Sequence, residues 1–272
     1  MTPDHHNTAT DDSRPAAEIG ADDIDVARRV LHLEAEGLKS LSAALDNKFV
    51  AAVEILAKVK GRVIISGMGK SGHIARKIAA TMASTGTPAM FVHPAEASHG
   101  DLGMITADDA VLILSNSGKT PELSDIVAYT RRYAIPLIAI VGRDGTTLGE
   151  AADIALVLPP SPEACPMGLA PTTSTTVTLA LGDALAVALL ERLGFSSDQF
   201  QVLHPGGQLG RSLTRISDIM HTGNAIPTTA PERLMSDVII EMSGKSFGCV
   251  GIIEQGALSG VITDGDLRRH MS

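Results

Sequence analysis

From Ile24 to Val59 the apolar residues recur at helical spacing: Val26, Val30, Leu33 and Leu38, then Leu41, Leu45, Val53 and Leu56. That period predicts two helices divided near Asp46-Asn47. At Val63 the rhythm changes to short, unbroken apolar runs, each followed by an amphipathic stretch. The runs Val63–Ser66, Ala89–Val92, Ala110–Ser115, Leu137–Val141 and Ile154–Leu158 read as strands. Helices are expected between them, over Gly72–Thr85 and Pro121–Ala134, and a long one over Thr173–Leu193 closes the series. Continuous runs such as Val63-Ile64-Ile65 suit strands covered on both faces. Strands alternating with helices predict an α/β fold, a doubly wound parallel five-stranded sheet with ligands at the carboxyl ends of its strands.

After "LHPGGQLGRSL" the pattern shortens. A helix is expected over Pro231–Met242, and Cys249–Ile253 with Leu258–Ile262 flank "EQGA" as a hairpin. The expected organisation is a flexible N-terminal tail over 1–23, the sheet domain over 24–215, and a small α+β segment over 216–272.

Composition narrows the partners. Of 272 residues, 44% are hydrophobic, enough for a substantial core, and the net charge is -9. An acidic chain without tryptophan lacks both the basic surface and the stacking residues that nucleic acid requires. The two cysteines, Cys165 and Cys249, form no metal pattern and read as reduced thiols of a cytoplasmic protein. The opening "MTPDHHNTATDDSRPAAEIGADD" is polar and acidic, unlike a signal peptide. No uninterrupted apolar run of membrane-spanning length is expected, so no membrane partner either.

The chemistry gathers in three loops. "SGMGKSGH" turns from the first strand into a helix, with Gly67, Gly69 and Gly72 allowing a tight turn and close approach. It fits neither the P-loop nor the dinucleotide fingerprint, yet its helix start favours an anion. "LSNSGKTPE" follows the third strand, and "PTTSTT" opens the long helix. Ser66, Ser71, Ser115, Ser117, Thr120, Thr172, Thr173 and Ser174 thus supply hydroxyls beside helix amides, suited to one small phosphate group. Lys70, Glu122, Glu163, His93, His99 and His204 stand in or beside connecting segments, where binding residues concentrate. A carboxylate and an imidazole can share proton transfer near neutral pH, with the lysine steadying an oxyanion.

Residues 62–211 resemble the sugar isomerase (SIS) domain. "GMGKSGHIARKIAATMASTGTP", "HPAEASHGDLGM", "SNSG", "EACPMGLAPTTSTT", "GDALAVAL" and "HPGGQLGR" together resemble the D-arabinose 5-phosphate isomerases of that family. Residues 216–272 are similar to one CBS motif, carrying Gly260, Thr263 and Asp266 in its Gly-x-x-Thr-x-x-Asp pattern. The family usually carries two such motifs, so adenine-nucleotide binding is not expected of this one alone. The resemblance implies interconversion of D-arabinose 5-phosphate and D-ribulose 5-phosphate through an enediolate, feeding Kdo and lipopolysaccharide synthesis. It implies Lys70, Glu122, Glu163 and His204 as the catalytic positions, and Gly86, Thr87, His93 and His99 as sugar-phosphate contacts. It further implies no required cofactor, zinc at His93 as an inhibitor, and a homotetramer with sites near subunit boundaries. Two alternatives stay open from the residues: a non-catalytic sugar-phosphate sensor, or an isomerase of another sugar phosphate.

Overall fold

The computed structural model describes residues 16–205 and 214–270. The chain divides into two compact units after Gly207. Most of the expected tail, residues 1–15, and the glycine-rich part of "HPGGQLGR" lie outside the described residues.

The first unit opens with α1 (Ala16–Ala44), which begins eight residues before the apolar period does. The stretch read as tail contains Ala16, Ala17 and Glu18, strong helix formers that need no apolar face to extend a helix. Asp46 then starts α2 (Asn47–Ala57), its carboxylate accepting the Lys48 N–H at 2.8 Å. The sheet follows as β1 (Val63–Gly67), α3 (Lys70–Ser84), β2 (Ala89–Phe91), α4 (Pro94–Ala97), β3 (Ala110–Ser115), α5 (Ser124–Arg132), β4 (Leu137–Val141), α6 (Thr147–Ala151) and β5 (Ile154–Val157). Then come α7 (Thr173–Leu193) and α8 (Ser197–Leu203). All five strands are parallel, in the order β2-β1-β3-β4-β5.

The strand residues alternate between two cores. Val63, Ile65, Leu112, Leu114, Ile138 and Ile140 pack beneath α1, α2, α3 and α7. Ile64, Val111, Ile113, Leu137, Ala139 and Val141 pack on the opposite face with Leu123, Ile126 and Leu148. Every residue of β1, β3 and β4 is buried, which is why their sequences are continuous apolar runs rather than alternating ones.

Helix α7 carries Asp183 within its apolar stretch, so it is not an uninterrupted apolar run. It is the helix among the described residues that is long and apolar enough to cross a membrane. Here it packs against α1, α2 and α3, and its Asp183 pairs with Lys77 of α3 at 2.6 Å. Its apolar length serves this packing: Val177, Leu181, Leu185, Ala186 and Leu189 are buried in the core beneath the sheet.

The second unit contains α9 (Ile216–Ile219), β6 (Thr228–Thr229), α10 (Met235–Lys245), β7 (Cys249–Glu254), β8 (Ala257–Thr263) and α11 (Asp264–His270). β7 and β8 form an antiparallel hairpin whose two turn residues, Gln255 and Gly256, both have positive φ. Val238, Met242 and Val250 form its small core. Thr263 and Asp266 of the quoted pattern bind each other: the Asp266 carboxylate accepts the Thr263 hydroxyl at 2.7 Å and its N–H at 2.9 Å. Those bonds, with Arg269 alongside, hold the Asp266 carboxyl down at about 2.

Candidate active site

Parallel strands put the loops after β1, β2, β3, β4 and β5 along one edge, and the strand order reverses between β1 and β3. Ligands bind in the crevice at such a reversal. Gly67 of β1 is level with Leu114 of β3, so the loops starting α3 and following β3 are neighbours. At the α3 start, Gly69 has φ +56°. A Cβ on Gly72 would stand 2.6 Å from the Gly67 carbonyl, so only glycine lets the helix start this close to its strand. Lys70 and Ser71 are the first residues of α3, Lys70 exposed and Ser71 half-buried. Neither side chain has a hydrogen bond or ion pair among the described residues. Both remain available to a ligand.

Several predicted hydroxyls serve the fold instead. Ser66 is fully buried and donates to the Val92 carbonyl at 2.8 Å, tying β1 to the end of β2. Ser115 is also buried; its hydroxyl accepts the Gly118 N–H at 3.1 Å and shares a 2.9 Å hydrogen bond with Thr120. These two are buried in the loop; exposed Ser117 accepts the Lys119 N–H at 3.3 Å and keeps its own hydroxyl proton to donate. Replacing Ser117 with alanine should therefore raise KM for a sugar phosphate severalfold and leave the melting temperature unchanged. An unchanged KM, alone and with Ser71→Ala, would remove this loop from phosphate binding.

The third loop is organised by Glu163. Its Oε2 accepts the Thr172 N–H at 2.8 Å, the Thr172 hydroxyl at 3.1 Å and the Ser174 N–H at 3.2 Å. It thus performs for α7 the capping that a residue next to the helix normally supplies. Partial burial pushes the Glu163 carboxyl up, but donors on Ser174 and Thr172 outweigh it and hold the group below the usual carboxylate range. Glu163 is consequently an anion at neutral pH, an acceptor rather than an acid.

Glu163 and Ser174 line a cavity of about 360 Å³ with Asn116, Gly142, Leu158, Ser161 and Val177. That volume is within the range of small-molecule sites. The cavity joins the loops after β3, β4 and β5 to the α7 start. Lys70 and Ser71 do not line it, so the expected convergence of three loops is seen for the second and third only. Asn116, between the two serines of "SNSG", and Ser161 are polar lining residues outside the expected set. Thr173 is fully buried with its hydroxyl unpaired among the described residues.

The remaining candidates are dispersed. Glu122 is exposed in the 3₁₀ turn Pro121–Leu123, and His99 is exposed after α4. His93 precedes α4, and its buried Nδ1 has no partner among the described residues. His204 ends α8, with Nδ1 2.8 Å from the Phe200 carbonyl and its ring stacked on the Phe200 ring, centroids 3.9 Å apart. A carbonyl only accepts, so Nδ1 carries a proton, and in the neutral ring the lone pair is on Nε2. Gly86 and Thr87 depart most from expectation. They precede β2 and so lie at the amino edge, with His93 after the same strand at the carboxyl edge. The extended chain between Thr87 and His93 spans roughly 15–20 Å. One chain cannot bring both to one small ligand. Gly86 has φ +92°, and a Cβ there would overlap the Phe195 ring. No three His, Cys, Asp or Glu side chains among the described residues are grouped to hold a metal. Among the described residues His93 therefore stands without the further ligands that a zinc site needs.

Residues 55–188 match the SIS domain family. Arabinose 5-phosphate isomerase KdsD of Yersinia pestis is 52% identical over 252 residues, covering 92% of this chain and 77% of that one. The enzyme of the same name from Pseudomonas aeruginosa is 50% identical over the same length and coverage. Among solved structures, the c3406 protein of Escherichia coli CFT073 in complex with arabinose 5-phosphate is 39% identical with a TM-score of 0.66, over 68% of this chain and 98% of that one. With this identity across nearly its whole length and a SIS sheet beneath it, the chain belongs to the arabinose 5-phosphate isomerase family of SIS-domain proteins.

Proposed function

We infer that this chain interconverts D-arabinose 5-phosphate and D-ribulose 5-phosphate, the aldose–ketose step that supplies Kdo for lipopolysaccharide. The observation that carries the reading is 52% identity over 252 residues to an arabinose 5-phosphate isomerase. The reaction opens the sugar, removes the C2 proton, passes through a cis-enediolate and returns a proton to C1, with no net oxidation. It requires a base, a cation for the developing oxyanion, and a phosphate anchor.

In this reading Nε2 of His204 takes the C2 proton, and Lys70 stabilises the enediolate. The Glu163 carboxylate accepts a sugar hydroxyl and orients it, and Ser117 with the free amides starting α3 receives the phosphate. Glu122 assists proton transfer between the two oxygens. Gly86 and Thr87 serve the site of a neighbouring copy, in a homotetramer located in the cytoplasm. The chemistry needs no metal, because Lys70 can carry the charge that a Lewis acid would. Activity should persist after exhaustive chelation, and added zinc should inhibit through His93. Activity lost to the chelator and restored by zinc would contradict this.

The direct test is conversion of D-arabinose 5-phosphate to D-ribulose 5-phosphate by the purified chain, with hexose phosphates in parallel. Turnover of hexose phosphates alone would assign a different substrate. Binding without turnover of any would make the chain a sensor.

A further inference from the structure

Glu163 stands in a stretch, residues 159–171, that has neither helix nor strand and contains five prolines, at 159, 160, 162, 166 and 171. Proline fixes φ but removes a hydrogen-bond donor, so such a loop holds its shape only through its remaining polar groups. The residue after Glu163 is held at both. The Ala164 N–H donates to the Thr172 hydroxyl at 2.8 Å, and the Ala164 carbonyl accepts from the Arg29 guanidinium at 3.1 Å. The second of these crosses 135 positions of sequence, from α1. Among the described residues it is the one hydrogen bond into 159–171 that comes from outside the loop, Thr172 and α7.

The same helix meets the loop a second time. A Cβ on Gly37 would lie 2.7 Å from Cγ2 of Thr173, 3.1 Å from Val177 and 3.6 Å from the Ser161 hydroxyl. Arg29 and Gly37 are eight residues apart, about 12 Å along a helix. Helix α1 therefore touches both ends of the cap that Glu163 makes. It touches the cavity lining at Ser161, and the backbone beside the carboxylate at Ala164. α1 also lies outside residues 55–188, which match the SIS domain.

We propose that Arg29 is a positioning residue for Glu163, fixing the Glu163–Ala164 backbone so that the carboxylate can cap α7 and face the cavity together. The proposal rests on the reading of Glu163 as a group of the isomerase site. Arg29 is exposed, so its loss removes a tether without opening the core.

The test compares Arg29→Ala and Arg29→Lys, each alone and with Glu163→Gln, in the full chain. Loss of a hydrogen bond to a charged donor should lower kcat about tenfold in Arg29→Ala, with KM altered less than twofold. Arg29→Lys, which keeps a cationic donor, should recover most of it. On the Glu163→Gln background, Arg29→Ala should cost nothing further, because a residue acting through Glu163 has nothing left to position. Independently of turnover, hydrogen exchange at the Thr172 and Ser174 amides should quicken about tenfold in Arg29→Ala. A loss that multiplies on the Glu163→Gln background, or unaltered exchange at both amides, would overturn the proposal. If the wild-type chain turned over no D-arabinose 5-phosphate while those amides still quickened, the positioning would stand and the isomerase reading would fail.

Discussion

Replacing His204 with alanine should lower kcat by about 10²–10⁴, the usual size of a general-base contribution, with little change in KM. The fold orients this ring from two sides. Phe200 supplies both the carbonyl that fixes the Nδ1 proton and the aromatic face on which the imidazole stacks. What remains is an Nε2 lone pair in a defined direction, which is what proton abstraction needs. Glu122, exposed and without a hydrogen bond or ion pair among the described residues, has no such preparation. Glu122→Gln is therefore expected to slow turnover while leaving exchange of the substrate C2 hydrogen measurable. His204→Ala should lose exchange and turnover together. The assignment fails if His204→Ala exchanges that hydrogen at the wild-type rate, and the base is then Glu122 if its variant does not.

Gly182→Leu should destabilise the first unit by about 3 kcal/mol, the upper part of the usual range for overpacking. Gly182 is where α7 crosses α3, and a Cβ there would overlap Cδ1 of Ile78 and stand 3.1 Å from its Cγ2. Ile78 has 0% exposure and no space into which to withdraw. In a unit of this size the corresponding fall in Tm is about 6–12 °C. The pair Ile78→Ala with Gly182→Leu should lose less than the sum of its parts, since the new side chain fills the space vacated. Additive losses in thermal unfolding would show that the crossing is not the point of conflict. The site depends on this contact, because α3 starts at Lys70 and α7 starts at the Glu163 cap.

The sheet was legible because it is doubly covered. Strands buried on both faces admit a polar residue only where it is hydrogen-bonded, as Ser66 and Ser115 are at the strand ends, so β1, β3 and β4 stand out as apolar runs leading into glycine and serine loops. The start of α1 was not legible, because alanine and glutamate extend a helix by propensity without an apolar stripe. The hydroxyl-rich loops were found but only partly understood. A serine buried in its own turn, as Ser115 is, has the same sequence appearance as one exposed at the surface, as Ser117 is. Which hydroxyl is spent internally is decided by backbone direction. Gly86 and Thr87 show a different limit. Because they precede β2 while His93 follows it, a parallel strand puts them at opposite edges of the sheet, and a motif match that groups all three does not register the strand between them. Glu163 was singled out as a titratable group; that its carboxylate caps α7 follows from a loop closure over nine residues that no spacing rule anticipates.

The central claim is proton transfer through an enediolate on a phosphorylated pentose. Conversion of D-arabinose 5-phosphate in deuterium oxide, with the product followed by proton NMR, tests it most directly. D-Ribulose 5-phosphate carrying solvent deuterium at C1 is the expected result. Absence of conversion would contradict the substrate, and D-ribulose 5-phosphate formed with no deuterium at C1 would contradict the enediolate.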